Sequence, residues 1–435
     1  MFRRARWLLL LHILVPGSAQ LVAGNRRLAR IGLMGTLVAW ALVLLAALLW
    51  FVNRTILIWF FTNSITAFLI AVYLFAAALL YFALSVDTLR HMQLVRVPIQ
   101  PRRIMAIATI AVTLFGSGTI AYGGSLAGAQ SSLLGSVFSQ HGTWQADENG
   151  RFNILLLGGD AGAHRFGLRP DSISVLSIDS RTGQTVNIGI PRNMQHVKFS
   201  DGSPMYSVYP NGWNCGVECL INALYKDVMD NHQDLYPDAV ANGSDPGVEA
   251  TMDAAEYVTG LKIQGYVLVD MAGFEALIDA LGGLNIDVKT RLPIGGGEDA
   301  NGQPINVRGW IEPGMQHMSG HTALWYARSR HGSSDYSRMA RQREVEQAML
   351  AQLDPVNVMA HFNSIAKAGE KLVKTNIPSD MISSFVDLAL KAKSQGIAAV
   401  ELVPPKVNVI HPNFSEIRNM IKDAMTPSPS ASPTE

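Results

Sequence analysis

Three apolar runs near the amino terminus, Ile31 to Trp50, Ile56 to Leu84 and Ile104 to Tyr122, constrain this chain more than any other feature. Each reaches the roughly 20 residues that a helix needs to cross a hydrocarbon core. They predict a membrane anchor with three firm spans. A fourth run, Trp7 to Val22, is interrupted by Pro16 and Gly17, which break a helix at membrane depth unless the freed backbone groups find other partners. It reads as re-entrant or interfacial. A cleaved signal peptide is the alternative for the first residues, and the three later spans argue against it. Arginines flank the broken run (Arg3, Arg4, Arg6, Arg26, Arg27, Arg30) and precede the third span (Arg90, Arg96, Arg102, Arg103), whereas the loop between the first two spans holds only Arg54. By the positive-inside rule the arginine-rich sides are cytoplasmic. The expectation is a multi-pass plasma-membrane protein whose large domain lies outside the cytoplasm.

Residues 1–103 contain eleven arginines and the single acid Asp87, which leaves 24 basic and 33 acidic residues in the rest. A domain with that acidic balance is not built for nucleic acid. The expected organisation is an anchor over 1–124, a Gly/Ser/Gln-rich linker over 125–150, a catalytic domain over 151–425 and a low-complexity tail over 426–435. Short β-rich runs (Phe152 to Leu157, Ser172 to Ile178, Thr185 to Ile190, Gly265 to Val269, Leu284 to Val288) are interleaved with helical ones (Glu218 to Met229, Gly247 to Val258, Met271 to Leu281). That pattern predicts an α/β domain, a sheet covered by helices on both faces. Its two cysteines, Cys215 and Cys219, stand four apart around Gly216. A regular helix would place them poorly for bonding, but glycine permits a turn that brings the sulfurs together. A disulfide and two free thiols both stay open, and two sulfurs alone would leave a zinc site unfilled.

The chemistry-bearing residues fall in two places. Asp160, Asp171 and Arg192 occur in NILLLGGD, RPDSI and IPRN, beside short apolar runs where strands hand side chains to loops. Sites of open α/β sheets form at such edges. Arg328, Arg330, Arg338 and Gln342 occur in WYARSRHGSSDYSRMARQ. Arg338, Arg341 and Gln342 can share a helix face, and in an extended run Arg328 and Arg330 point to one side. A solvated amphipathic helix is the plainer explanation of that face. Carboxylates that hold a hard cation, beside guanidinium groups that fork onto phosphoryl oxygens, suit a metal-bound phosphate or pyrophosphate. Gly158 and Gly159 permit close backbone approach, Gly282 and Gly283 close a helix, and Phe274, Leu277 and Ile278 are candidate walls of an apolar groove or simply core. His164, His317, His321 and His331 show no metal-ligand spacing.

From Asn153 to Gln342 the motifs NILLLGGD, RPDSI, SIDSRTG, IPRN, VTGLKI, GYVLVDMAGF, DALGGLNIDV, EPGMQHMSGHTALWYARSR and DYSRMARQ resemble, in order, those of the LytR–CpsA–Psr family of bacterial cell-wall proteins. The multi-span anchor resembles actinobacterial members. The resemblance implies a mixed sheet between helical layers behind a membrane anchor. It implies a ligase that moves a glycopolymer from a polyprenyl-pyrophosphate carrier to the muramic-acid 6-hydroxyl of peptidoglycan, releasing polyprenyl phosphate. It implies Asp160 and Asp171 as ligands of magnesium (or manganese), with Asp171 and Arg192 catalytic. Arg169, Arg192, Arg328, Arg330, Arg338 and Gln342 would bind the pyrophosphate. The family's R-S-D is here Arg169, Pro170, Asp171, and its I-P-R-D ends in Asn193, so an acid beside Arg192 is missing. Arg165 is the one candidate for the family arginine after the first acid. A pyrophosphate hydrolase and a non-catalytic polyprenyl-phosphate-binding regulator are the alternatives.

Overall fold

The computed structural model describes residues 2–137, 142–159, 169–299, 303–329, 335–352 and 373–426. Asp160, His164, Arg165, Arg330, His331 and the tail beyond 426 lie outside the described residues. The chain divides into two compact units, Met1–Leu134 and Gly135–Glu435.

The first unit is helical: α1 (Phe2–Leu14), α2 (Ser18–Ala23), α3 (Arg26–Val52), α4 (Arg54–Thr62), α5 (Ser64–His91) and α6 (Ile99–Val137). Among the described residues three segments, Arg26–Val52, Ser64–Arg96 and Ile99–Ser132, are long and apolar enough to cross a membrane. The expected second span, Ile56 to Leu84, is not one helix. It breaks at Asn63, whose side-chain oxygen accepts from the N–H groups of Ile65 and Thr66 and so starts α5 anew, as N-cap chemistry favours. The break at Pro16–Gly17 is present between α1 and α2. Gly17 has φ +102°, and a Cβ there would sit 2.5 Å from the backbone N of Leu33, so the turn presses directly on α3. Polar side chains inside the bundle find one another: His12 Nε2 meets Ser85 Oγ at 2.8 Å, and Gln20 Nε2 donates to the Leu84 carbonyl at 2.8 Å.

Among the described residues the second unit has twelve strands: β1 (Arg151–Gly159), β2 (Pro170–Asp179), β3 (Thr185–Ile190), β4 (Gly265–Asp270), β5 (Leu284–Val288), β6 (Leu292–Ile294), β7 (Gly297–Glu298), β8 (Pro304–Ile305), β9 (Gly309–Ile311), β10 (Gly314–Met318), β11 (Val373–Thr375) and β12 (Ile397–Glu401). Its helices are α7 (Ile221–Asn231), α8 (Pro246–Thr259), α9 (Met271–Ala280), α10 (Gly320–Arg328), α11 (Asp335–Gln352), α12 (Ile382–Gln395) and α13 (Phe414–Met425). The central sheet has the order β11-β4-β1-β2-β3-β12. It is mixed, with β1–β4 and β3–β12 parallel and the other pairs antiparallel.

Alternate residues of each strand sort to opposite faces. Leu155, Leu157, Ile173, Val175, Val186, Ile188 and Leu268 bury one face against α7, α8 and α13. Phe152, Ile154, Leu156, Leu176 and Val267 on the other face pack with Trp144, Phe385 and Leu388 at one end, while α9, α10 and α11 gather around β5 in a satellite core. The expected α/β layering is therefore present as a helix–sheet–helix sandwich.

Local chemistry sets the boundaries. Asp245 caps α8 by accepting from Val248 N, Pro246 opens it, and Gly260 closes it in the left-handed region. Gly282 and Gly283, φ +85° and +92°, turn α9 into β5. Cys215 and Cys219 form a disulfide around Gly216, φ +85°. The residues between them are a 3₁₀ turn, so α7 starts at Ile221 rather than at Glu218.

Gly320 marks the tightest approach between α9 and α10: a Cβ there would lie 2.0 Å from the Glu275 carbonyl oxygen. Gly320→Ala is expected to force the helices apart and cost about 1–3 kcal/mol, read as a lowered midpoint in thermal unfolding of the detergent-solubilised chain. An unchanged midpoint would show that the α9–α10 contact is slack.

Candidate active site

β2 runs antiparallel to both β1 and β3, pairing Ile173 with Ile190 and Gly158 with Ser172. Asp171 is thus not past the end of a strand, as its sequence context suggested, but at the start of β2, on the same sheet edge as the ends of β1 and β3. Extending the β2–β3 register sets Asp171 opposite Arg192. Their side chains close the edge, Arg192 Nη1 donating to Asp171 Oδ1 at 2.6 Å, with the two groups 21% and 26% exposed. Partial shielding of this kind makes a charge-assisted bond count for more than a surface pair. The loop that carries Arg192 is fixed from behind, because the first N–H groups of α7, from Ile221 and Asn222, donate to the carbonyls of Met194 and Arg192 at 3.0 and 3.2 Å.

Beside this pair, under α9, α10 and α11, the sheet leaves a cavity of about 320 Å³. Its walls are mostly apolar, with Leu156, Val267, Phe274, Leu277, Leu324 and Met349 among them. Its polar lining includes Asp171, Ser172, Ser174, Asp270, Arg328, Gln342 and Glu346. Asp270 serves as the cap of α9, accepting from Gly273 N at 2.6 Å. A smaller cleft shares Asp171, Ser174, Gln342 and Glu346 with the cavity and adds Arg192, Met339 and Glu401. An apolar chamber whose polar margin carries Arg328 beside the acids Asp171, Asp270 and Glu346, with Arg192 in the adjoining cleft, can accommodate an amphiphile with a charged head.

The two sequence clusters thus meet. Asp171, Arg192, Arg328 and Gln342 line one continuous region. Arg338 is 2% exposed and donates through Nη2 to the Asp171 backbone carbonyl at 3.4 Å, so it ties α11 to the backbone that carries the acid. Arg341 does not share that face: its Nε donates to the Tyr326 carbonyl at 2.9 Å and its Nη2 to that of Ser329, tying α11 to the end of α10. Arg328 is the last residue of α10 and not part of an extended run. Arg169 stands exposed before β2 and lines neither cavity. Phe274 and Leu277 wall the cavity, whereas Ile278, fully buried, belongs to the core around β5.

Residues that the motifs did not flag complete the site. Glu346 lies one turn beyond Gln342 on α11, a spacing that puts both on one face. Its Oε2 accepts from Asn187 Nδ2 at 2.7 Å. Burial first, and then the charge of Glu401, push its carboxyl up to about 7. Glu401, on β12, pairs with Arg343 Nη1 at 2.6 Å. The i to i+4 step from Gln342 was a readable signal for Glu346; nothing in the sequence placed Glu401 there. As for a cation, Asp171 is a hard oxygen donor at the cavity margin, which fits magnesium's preference for one or two carboxylates completed by phosphate oxygens.

Residues 125–410 match the model of the LytR_cpsA_psr family. Among curated proteins the chain is similar to biofilm regulatory protein A of Streptococcus mutans, 27% identical over 62% of this chain and 63% of that one. It is also similar to the polyisoprenyl-teichoic acid–peptidoglycan teichoic acid transferase TagU of Oceanobacillus iheyensis, 29% identical over 55% of this chain and 63% of that one. The chain thus spans less than two thirds of the length of either relative. The crystal structure of Bacillus subtilis TagV aligns with 64% of this chain and 96% of its own, at 22% identity and a TM-score of 0.44.

The raised Glu346 carboxyl makes stability depend on pH. A carboxyl that ionises near 4.5 when unfolded and near 7 when folded adds stability that is full below about 4.5 and is lost as pH rises through 7. Glu346→Gln, which cannot ionise, is expected to match the parent chain at pH 4 and to exceed it above pH 7.5 by up to about 3 kcal/mol. Thermal unfolding at both pH values checks this; equal pH slopes would show an ordinary carboxylate.

Proposed function

The chain belongs to the LytR–CpsA–Psr family, and on that premise we propose that it transfers a glycopolymer from a polyprenyl-pyrophosphate carrier to peptidoglycan. The observation that carries this reading is the juxtaposition of an apolar cavity with Asp171, Arg328 and Gln342 at its polar margin and Arg192 in the adjoining cleft. An isoprenoid pyrophosphate has the matching halves, a greasy chain and a polyanionic head. The transferase name of the Oceanobacillus relative supports the same reaction class.

In this reading the isoprenoid lies against Leu156, Val267, Phe274, Leu277, Leu324 and Met349. Arg192, Arg328 and Gln342 hold the pyrophosphate, with Arg169 and Arg330 assigned by the resemblance. Arg338, from α11, holds the backbone of Asp171. The hydroxyl at muramic-acid C6 attacks the phosphorus that carries the glycan, a phosphodiester forms, and the bond to polyprenyl phosphate breaks. Such transfer asks the protein mainly for positioning and charge neutralisation. Arginine forks supply both without themselves titrating. Asp171, with Asp160, would hold a magnesium or manganese ion, which supplies further neutralisation on the phosphoryl oxygens when bound. Asp171 is also the assigned base for the attacking hydroxyl. The membrane reading completes the assignment: a multi-pass anchor in the plasma membrane, with the catalytic unit on the extracytoplasmic side where peptidoglycan is built.

The test uses the full chain in detergent with a short polyprenyl-pyrophosphate-linked saccharide, peptidoglycan oligomers and magnesium. Phosphodiester product is expected, falling about 10²–10³-fold in Asp171→Ala and in Arg192→Ala, with thermal unfolding showing both variants folded. Release of saccharide phosphate without adduct would replace transfer by hydrolysis. Lipid binding without turnover would leave a carrier-binding protein.

A further inference from the structure

A row of residues crosses the sheet beneath α11: Val267, Leu156, Ser174, Gly189 and Glu401 are successive partners across β4, β1, β2, β3 and β12. The row passes from apolar to polar where α11 lays Gln342 and Glu346 over it. Gly189 makes the polar end possible, since a Cβ there would stand 2.8 Å from Glu401 Oε1. Glu401 is held by Arg343, whose charge lowers the Glu346 carboxyl by less than burial and Glu401 raise it. The one hydrogen bond resolved for Glu346 comes from the neutral amide of Asn187. Ser174 Oγ and Asn187 Oδ1 are buried with no hydrogen-bond partner among the described residues, and Ser174 lines both the cavity and the cleft. Unsatisfied buried polar atoms are costly, and here one of them borders the space that a ligand would fill.

We propose that Glu346 acts as a neutral hydrogen-bond donor to a phosphoryl oxygen of the bound carrier lipid, with the Ser174 hydroxyl beside it, so that lipid phosphate is held only while Glu346 keeps its proton. The inference rests on the carrier-lipid reading above. An ionised carboxylate facing a polyanion would repel it, whereas a carboxylic acid offers one O–H donor. The charged groups around Glu346 favour the acid form on balance. Glu401 on β12 and Asp171 on β2 are acidic, with Asp270 at the end of β4. Arg343 and Arg192 are engaged by Glu401 and Asp171, and Arg328 at the end of α10 lies on the cavity wall. Burial and Glu401 already push the carboxyl up to about 7, and a bound phosphate raises it further. Glu346 would thus be a binding and positioning group, taking up one proton as the lipid enters.

The experiment measures binding of geranylgeranyl monophosphate to the full chain in detergent between pH 7 and 9, above the phosphate's second ionisation near 6, with geranylgeraniol as the uncharged control. For the parent chain, affinity is expected to fall about tenfold over this range. Glu346→Gln keeps an N–H donor and has no proton to lose, so its binding should stay flat and exceed the parent's at pH 9. A dependence carried by a histidine would persist in the Gln variant and is separated by that comparison. Flat binding by the parent chain, or parallel decline in both proteins, would overturn the proposal. Parallel binding with transfer abolished only in the Gln variant would overturn it too, in favour of Glu346 as the base. If geranylgeraniol binds as tightly as the phosphate, the carrier-lipid reading itself fails; if phosphate is preferred without pH dependence, only the role of Glu346 falls.

Discussion

The register between β2 and β3 is the constraint on which the site depends. Pairing Ile173 with Ile190 decides at once that Asp171 faces Arg192 across the edge, that Ser174 lies beside Gly189, and that Val175 and Ile188 face the opposite core. Side chains alternate with a period of two, so a slip of one residue would undo the Asp171–Arg192 alignment and send Ser174 and the space over Gly189 to the wrong face. The register is protected by the fully buried strand β3, flanked by β2 and β12 and packed through Val186 and Ile188 against the helices behind. Chemistry at the edge is therefore specified by hydrophobic packing several residues away.

The helix layer above the sheet is tied down by polar contacts as well as by the apolar core around β5, and between them a cavity survives. Arg341 bonds two carbonyls at the end of α10, Gln352 Nε2 donates to the Gly283 carbonyl at 2.6 Å, and the Gly320 amide donates to Asp279 at 2.7 Å. These bonds fix α9, α10 and α11 around β5 while leaving Phe274, Leu277, Leu324 and Met349 to line space instead of closing it. A core packed to ordinary density would collapse such a chamber. Directional hydrogen bonds allow helices to be held at a distance that dispersion alone would not choose.

Much of this was legible from sequence because its physics is local. Spans, strand runs, the Pro246 and Asp245 helix start and the paired glycines after α9 each rest on a few neighbouring residues. The motif residues Asp171, Arg192, Arg328 and Gln342 line one region. What could not be read was register and rotation about a helix. Arg341 shares a plausible face with Arg338 on a helical wheel, yet it turns to α10 because carbonyls there lacked donors. Ile278 differs from Leu277 by one step around α9 and falls in the core. Asn63 splits an unbroken apolar run, because a single amide side chain can satisfy two helix N–H groups. Glu401 reaches the cleft only through the parallel pairing of β12 with β3, a contact that no local pattern announces.

Charge placement around the cleft follows from the same geometry. Two arginines and three acids converge there, Arg192 with Asp171 and Arg343 with Glu401, which leaves Glu346 as the acid of the three with no ion pair of its own among the described residues. Were Glu346 replaced by an apolar residue, Asn187 would lose the acceptor of its amide, and a second buried polar group would be orphaned next to its already unpaired oxygen. Were an arginine supplied to pair with it, the carboxylate would stay ionised and present a fixed negative charge to the space beside Asp171. A lone acid bonded to a neutral amide avoids both outcomes: it satisfies the sheet below, and its charge depends on what occupies the cavity above.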